Sequence, residues 1–131
     1  MCGHHKMFSN NKPYGSYDQL YGHELALTGD RFKEEGSTGY CEGVYIFVVL
    51  PTSNPFAYFT DHMGCAVKVR ITKDRTVKHD ALARGRDVRF AGTVEFKSGL
   101  LIRWCNGSGH YLPDANCCDQ APKAFTFNKY G

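Results

Sequence analysis

The sequence predicts an α+β domain: a mainly antiparallel, twisted sheet of about five strands with a short N-terminal helix and small helical turns near residues 80 and 116. Three stretches carry that expectation. Gly43 to Leu50 is continuously apolar, β-branched and aromatic; Cys65 to Thr72 alternates apolar with polar; and Asp87 to Leu112 reads as a meander punctuated by turn residues.

Residues 1 to 15, rich in Asn, Lys, Gly and His, predict an irregular arm. Ser16 and Gln19 have capping-box spacing, and Tyr17, Leu20, Tyr21, Glu24 and Leu25 recur at helical intervals. They predict a helix over 17–27, ended by Thr28-Gly29-Asp30 and followed by loop as far as Gly39. The Gly43 to Leu50 run, stopped by Pro51, predicts a strand buried on both faces. In the next strand Val67, Val69 and Ile71 occupy one side and Lys68, Arg70 and Thr72 the other, which predicts a half-exposed element. Asp80 to Arg84 before Gly85 predicts one or two helical turns with a glycine stop.

Parity organises the meander. Val88, Phe90, Val94 and Phe96 share one face, and Leu100, Ile102 and Trp104 share another set of equal spacing. A two-residue Ser98-Gly99 loop pairs Phe96 with Leu101 and splits the apolar set between faces. A three-residue loop, Lys97-Ser98-Gly99 with Gly99 left-handed, instead pairs Phe96 with Leu100, Val94 with Ile102 and Gly92 with Trp104, giving one core. Asn106-Gly107 then predicts a type I′ turn into a third strand. In that register Arg103 lies opposite Thr93, and His110 opposite Arg103. Thr93, Arg103 and His110 form a row on the face away from Trp104, with Glu95 two positions along, while Tyr111 shares Trp104's parity and reads as core.

The 131 residues, 42% hydrophobic and 22% charged, describe one folded domain spanning 1–131 and exclude a disordered chain. A net charge of +3 with dispersed Lys and Arg gives no basic stripe, so specific nucleic-acid binding is not expected. The longest apolar run, Val44 to Leu50, is far short of the roughly 18 residues of a membrane helix, and Met1 to Met7 shows no apolar signal core. The six cysteines are even in number but sparser than the roughly 8% of a disulfide scaffold, so both paired and reduced states stay open. Cys117-Cys118 is vicinal, and a bridge from one of them to Cys2 or Cys105 is the ordinary role. Cys2, His4, His5, Cys117 and Cys118 lack the paired spacing of a zinc site, and no metal is expected.

Two clusters are candidates for chemistry. His110 with Arg103 and Glu95 could exchange a proton and bind an anion; the competing reading is a solvated sheet face. His79 and Asp80 precede the meander by a short turn, and Asp80 there serves equally as a helix N-cap. Ser108 is a turn residue beside His110, without the G-x-S-x-G elbow of a nucleophile. Cys41 as a nucleophile with His110 as base is disfavoured by its place just before a buried strand.

The segment from His79 through Gly85, Val88, Ala91-Gly92, the Gly99 turn and Ser108-Gly109-His110-Tyr111-x-Pro113 resembles a domain found near the C-termini of bacterial secreted and polymorphic-toxin proteins. A similar Ser-Gly-His-Tyr-x-Pro segment occurs in plant IQ-motif calmodulin-binding proteins. The resemblance covers roughly residues 40 to 125. Where those proteins carry His-Ser-Ser this chain has His79-Asp80-Ala81, and Thr93 stands where they often have Glu. No IQ-type basic helix is visible, so calmodulin binding does not carry over. The resemblance implies a toxin or effector module, secreted or delivered to a target cell, monomeric, with a target-cell protein or nucleotide and an immunity protein as partners. It points toward a transferase or hydrolase acting on a nucleotide or dinucleotide-like anion, with ADP-ribosyl transfer from NAD as the first candidate. Catalysis would rest on His110, His79 and Arg103, and substrate binding on Arg103, Thr93, Glu95, Ser108 and Asp80. The rival class is a protein- or glycan-binding module without turnover.

Overall fold

Gly22, at φ +71, turns the chain sharply into its first strand; a Cβ there would lie 2.4 Å from the carbonyl oxygen of Ile71. This overturns the helix expected over 17–27. Residues from His23 onward run extended, with Leu25 fully buried and His23 exposed, so the apolar intervals belong to a strand. The computed structural model describes residues 6–10, 17–108 and 111–128. In chain order the strands are β1 (His23–Thr28), β2 (Arg31–Glu34), β3 (Gly43–Pro51), β4 (Phe59–Thr60), β5 (Ala66–Thr72), β6 (Phe90–Lys97) and β7 (Leu100–Cys105). Among the described residues one α-helical turn, α1 (His79–Leu82), lies between β5 and β6, and two 3₁₀ helices, Ala115–Gln120 and Lys123–Asn128, follow β7. The domain is thus mainly antiparallel sheet, as expected, with more strands and less helix.

The sheet runs β2-β1-β5-β3-β6-β7, with β4 paired to β5 off that path, and each named pairing is antiparallel. It curls until its first and last members meet. Phe32 on β2 donates its amide to the carbonyl oxygen of Gly99 at 2.7 Å, and Arg31 donates a guanidinium hydrogen to Ser98 O at 2.6 Å. The concave face is aromatic: Phe32, Phe47, Phe90, Phe96, Trp104 and Phe125 pack with Val67, Val69 and Ile71. Phe47 meets Phe125 edge-on at 5.3 Å, and Phe90 meets Trp104 at 5.9 Å, geometries that add about 0.5–1.5 kcal/mol per pair beyond area burial.

The convex face carries a second core of Val48, Leu50, Val77, Leu82, Val88, Ala91 and Tyr111. β3 is therefore apolar on both sides, as its continuous run predicts. The same covering corrects β5: its Arg70 and Thr72 are buried, because α1 and the segment before β1 lie over the face expected to meet water. Part of the N-terminal arm also docks, Phe8 bridging Val88 by two backbone hydrogen bonds.

The β6–β7 hairpin departs from the expected register. Ser98 and Gly99, at φ 51 and 82, form the two-residue turn, so Lys97 pairs with Leu100 and Phe96 with Leu101. The extra residue is absorbed by a bulge at Ile102, after which Glu95 faces Arg103, Val94 faces Trp104 and Thr93 faces Cys105. Trp104 keeps its inward face, but Leu100 and Ile102 are exposed rather than core. Gly92 is needed for backbone approach rather than for the indole, since a Cβ there would sit 1.8 Å from Cys105 O.

Asn106-Gly107 does not make a type I′ turn: neither residue takes a positive φ, and no strand follows β7 among the described residues. Asn106 donates from Nδ2 to Pro113 O at 2.9 Å, and the amide of Leu112 donates to Ser108 O at 2.9 Å, closing an irregular turn. Tyr111 is buried, as its parity predicts, and its hydroxyl donates to Arg86 O. A buried pair ties the C-terminal segment to the sheet. Arg89 donates to Asp61 Oδ2 at 3.0 Å, Asp61 Oδ1 accepts from the amides of Met63 and Cys65, and Gln120 donates to Arg89 O. Cys117 is disulfide-bonded, whereas Cys41, Cys65, Cys105 and Cys118 are thiols, which removes Cys105 as a bridging partner.

Candidate functional site

The segment Lys73-Asp74-Arg75-Thr76-Val77-Lys78 joins β5 to α1 across the convex face, and a side-chain cap fixes its shape. Asp74 Oδ1 accepts from the amide and the hydroxyl of Thr76 at 2.9 and 2.7 Å, and Asp74's own amide donates to Thr72 Oγ1. Those hydrogen bonds hold the Asp74 carboxyl below its ordinary pKa. The turn presents Lys73, Arg75 and Lys78 around a cleft of about 620 Å³, within the range of ligand pockets. Thr72, Thr93, Ile46 and His79 complete much of its lining.

Three cations thus face one carboxylate that is already engaged with its own loop. Lys73 is anchored, its Nζ donating to Glu42 O at 2.8 Å and lying 5.4 Å from the Tyr45 ring centre. Arg75 and Lys78 are exposed and make no ion pair among the described residues. The lining is that of an anion site.

His79 lies in the wall. Its Nε2 is 2.8 Å from Gly92 O, and because a carbonyl only accepts, the Nε2 hydrogen is fixed there and Nδ1 is the basic nitrogen of the neutral ring. The register that packs Gly92 against β7 also aims its carbonyl at His79 and places Thr93 next in line on the cleft.

The expected site residues divide. His79 and Thr93 share the cleft. Glu95 and Arg103 stand beside it around a smaller pocket of about 240 Å³ that Thr93 and Val44 also border. Arg103 faces Glu95, not Thr93, and its Nε donates to Glu95 Oε1 at 2.8 Å, so its charge is already partnered. His110 lies outside the described residues, as do Cys2, His4 and His5, and the row through His110 is not described here.

Asp80, in the first turn of α1, is buried and accepts from the Tyr17 hydroxyl at 2.9 Å. It is not the N-cap; Lys78 holds that position, without a side-chain cap. Ser108 is buried, its Oγ accepting from the Tyr111 amide at 3.3 Å, which is turn chemistry. Cys41 is buried and its thiol is pushed up to about 11, the wrong direction for a nucleophile.

Sequence reasoning missed Lys73, Arg75 and Lys78. A signal was present: three cations within six residues, directly before His79. Among the described residues no group of acidic, His and Cys side chains could hold a metal ion, and no helix is long and apolar enough to cross a membrane. No protein-family model, curated protein or solved structure matches the chain.

Proposed function

We propose that the His79 cleft binds a nucleotide or dinucleotide-like anion and that the chain acts on it as a transferase or hydrolase of the effector or toxin type. ADP-ribosyl transfer from NAD is the reaction to test first. The observation that carries this reading is the convergence of Lys73, Arg75 and Lys78 on a cleft walled by a histidine of fixed tautomer. In that reading Arg75 and Lys78 take the phosphates, and the Thr72 and Thr93 hydroxyls suit a ribose. His79 Nδ1 accepts a proton from the attacking group while Nε2 stays tied to Gly92 O. Arg103, beside the cleft, would reach substrate by leaving Glu95.

The experiment pairs binding with turnover. Titration with NAD and with ATP should saturate, with binding weakened by Arg75→Gln and Lys78→Gln, and release of nicotinamide should be lost in His79→Gln. Saturable NAD binding without nicotinamide release or transfer would leave a binding module. Absence of nucleotide binding would overturn the reading in favour of non-catalytic recognition of a protein or glycan.

A further inference from the structure

A second cationic cleft lies on the same convex face, on the far side of α1. Lys68, Arg70, Arg84 and Arg86 line it with Tyr17 and Leu20, enclosing about 510 Å³, and it shares no residue with the His79 cleft. Two of the cations come from alternate positions of β5 and two from the chain leaving α1, so the fold gathers like charges that lie apart in sequence.

Their existing partners do not neutralise them. Arg84 donates from Nε to Tyr17 O at 3.0 Å and from a terminal nitrogen to Asp18 O at 3.3 Å; Arg86 donates from Nε to Ala83 O at 3.2 Å. All of these acceptors are backbone carbonyls. None of the four side chains is ion-paired with a carboxylate among the described residues.

Arg70 is the sharpest case. It is 8% exposed, one terminal nitrogen donates to Tyr21 O, and its buried Nε has no hydrogen-bond partner. Burial and the charges of Arg84 and Arg86 weaken its hold on its proton, and Glu24, its neighbour on β1, opposes them only in part. A buried guanidinium with an unused donor, among three more cations, is costly unless a counter-charge enters. Arginine forks joined by a lysine point charge match the oxygens of a tetrahedral, multiply charged anion.

We propose that this cleft is a second anion site, which takes a phosphate group carried by a small soluble molecule. Arg70 supplies the floor, Arg84 is held in place by Tyr17 and Asp18, and Lys68 and Arg86 close on the ligand from the rim.

The test is titration of the full chain with inorganic pyrophosphate, followed by the arginine Nε–H resonances. The expected result is saturable movement of the Arg70 and Arg86 signals, weakened about tenfold by Lys68→Gln, and by Arg86→Gln as read on Arg70, and unaltered by Lys78→Gln. The rim variants avoid removing buried Arg70. Without ligand Lys68→Gln should melt no lower than the parent, because it removes a like charge and no hydrogen bond. Equal movement on adding chloride at matched ionic strength would mean screening alone and overturn the proposal. So would binding only to vesicles containing a phosphorylated inositol lipid, with no response to pyrophosphate, since that would assign the cations to a membrane surface.

Discussion

His79 Nε2 and Gly92 O lie 2.8 Å apart, a hydrogen bond that joins the first residue of α1 to the middle of β6. The imidazole is buried, so the contact holds both the helical turn and the ring's tautomer. His79→Ala should destabilise the fold by about 1–3 kcal/mol, the cost of orphaning a buried acceptor. His79→Gln, which can still donate to that carbonyl, should recover part of the loss in urea denaturation. Equal stability of both variants would show that the bond contributes nothing.

Asp61 and Arg89 form the other internal anchor. Both side chains are almost wholly buried, and Asp61 also accepts from the amides of Met63 and Cys65. Truncating Asp61 to Ala should cost about 3–5 kcal/mol, because the buried Arg89 would lose the carboxylate it faces at 3.0 Å. By contrast, Glu95→Gln should cost under about 1 kcal/mol, since the Arg103 side chain it pairs with is 60% exposed. Urea midpoints for the two variants give the comparison directly.

Gly92→Ala is expected to be the most damaging small substitution in the sheet. The added methyl would fall 1.8 Å from Cys105 O and 3.1 Å from the Asn106 Cα, backbone atoms at the end of β7 and just beyond it. Pushing β7 away should cost upward of about 3 kcal/mol or abolish folding, read by circular dichroism and thermal melting. A near-neutral result would mean that β6 and β7 are less closely packed than described.

Alkaline stability has a calculable sign. Burial pushes the Cys41 thiol from its ordinary 9.0 to about 11 and the Tyr45 phenol from 10.0 to about 12, so in the fold both hold their protons more tightly. The unfolded chain therefore releases these protons first. Their contribution is whole below pH 9, then falls as pH rises through the folded values. Cys41→Ala should flatten the loss between pH 9 and 11, and at pH 8 iodoacetamide should leave Cys41 unmodified in the native chain. Rapid native-state alkylation of Cys41 would contradict its burial.

Much of this architecture is legible in the residues. The run into Pro51 marks β3, the alternation through Ile71 marks β5, and Asp80 to Arg84 before Gly85 marks α1. What escaped depends on long-range packing. Tyr17, Leu20, Tyr21 and Leu25 have helical spacing, but Gly22 sits against Ile71 O and the chain must turn there. Arg70 and Thr72 carry a solvent-facing pattern and are buried because α1 and the segment before β1 cover them. The cationic lining of the Arg70 cleft is non-local, since strand and helix-flanking residues become neighbours only when α1 docks, whereas the three cations of the His79 cleft lie within six residues of sequence. Thr93 and His79 could be named as candidates, whereas their shared cleft needed the register of β6 against β3.

The bulge at Ile102 gives the last hairpin a reading frame. Between Phe96 opposite Leu101 and Glu95 opposite Arg103 the chain carries one spare residue, and its side chain is 43% exposed. Removing Ile102 leaves the inward phase of Leu101 and Trp104 intact. Adding one residue there, or deleting one from the regular ladder of β6, sends every following side chain to the opposite face. Tolerance to change of length in this hairpin is thus concentrated at a single position, and it favours shortening.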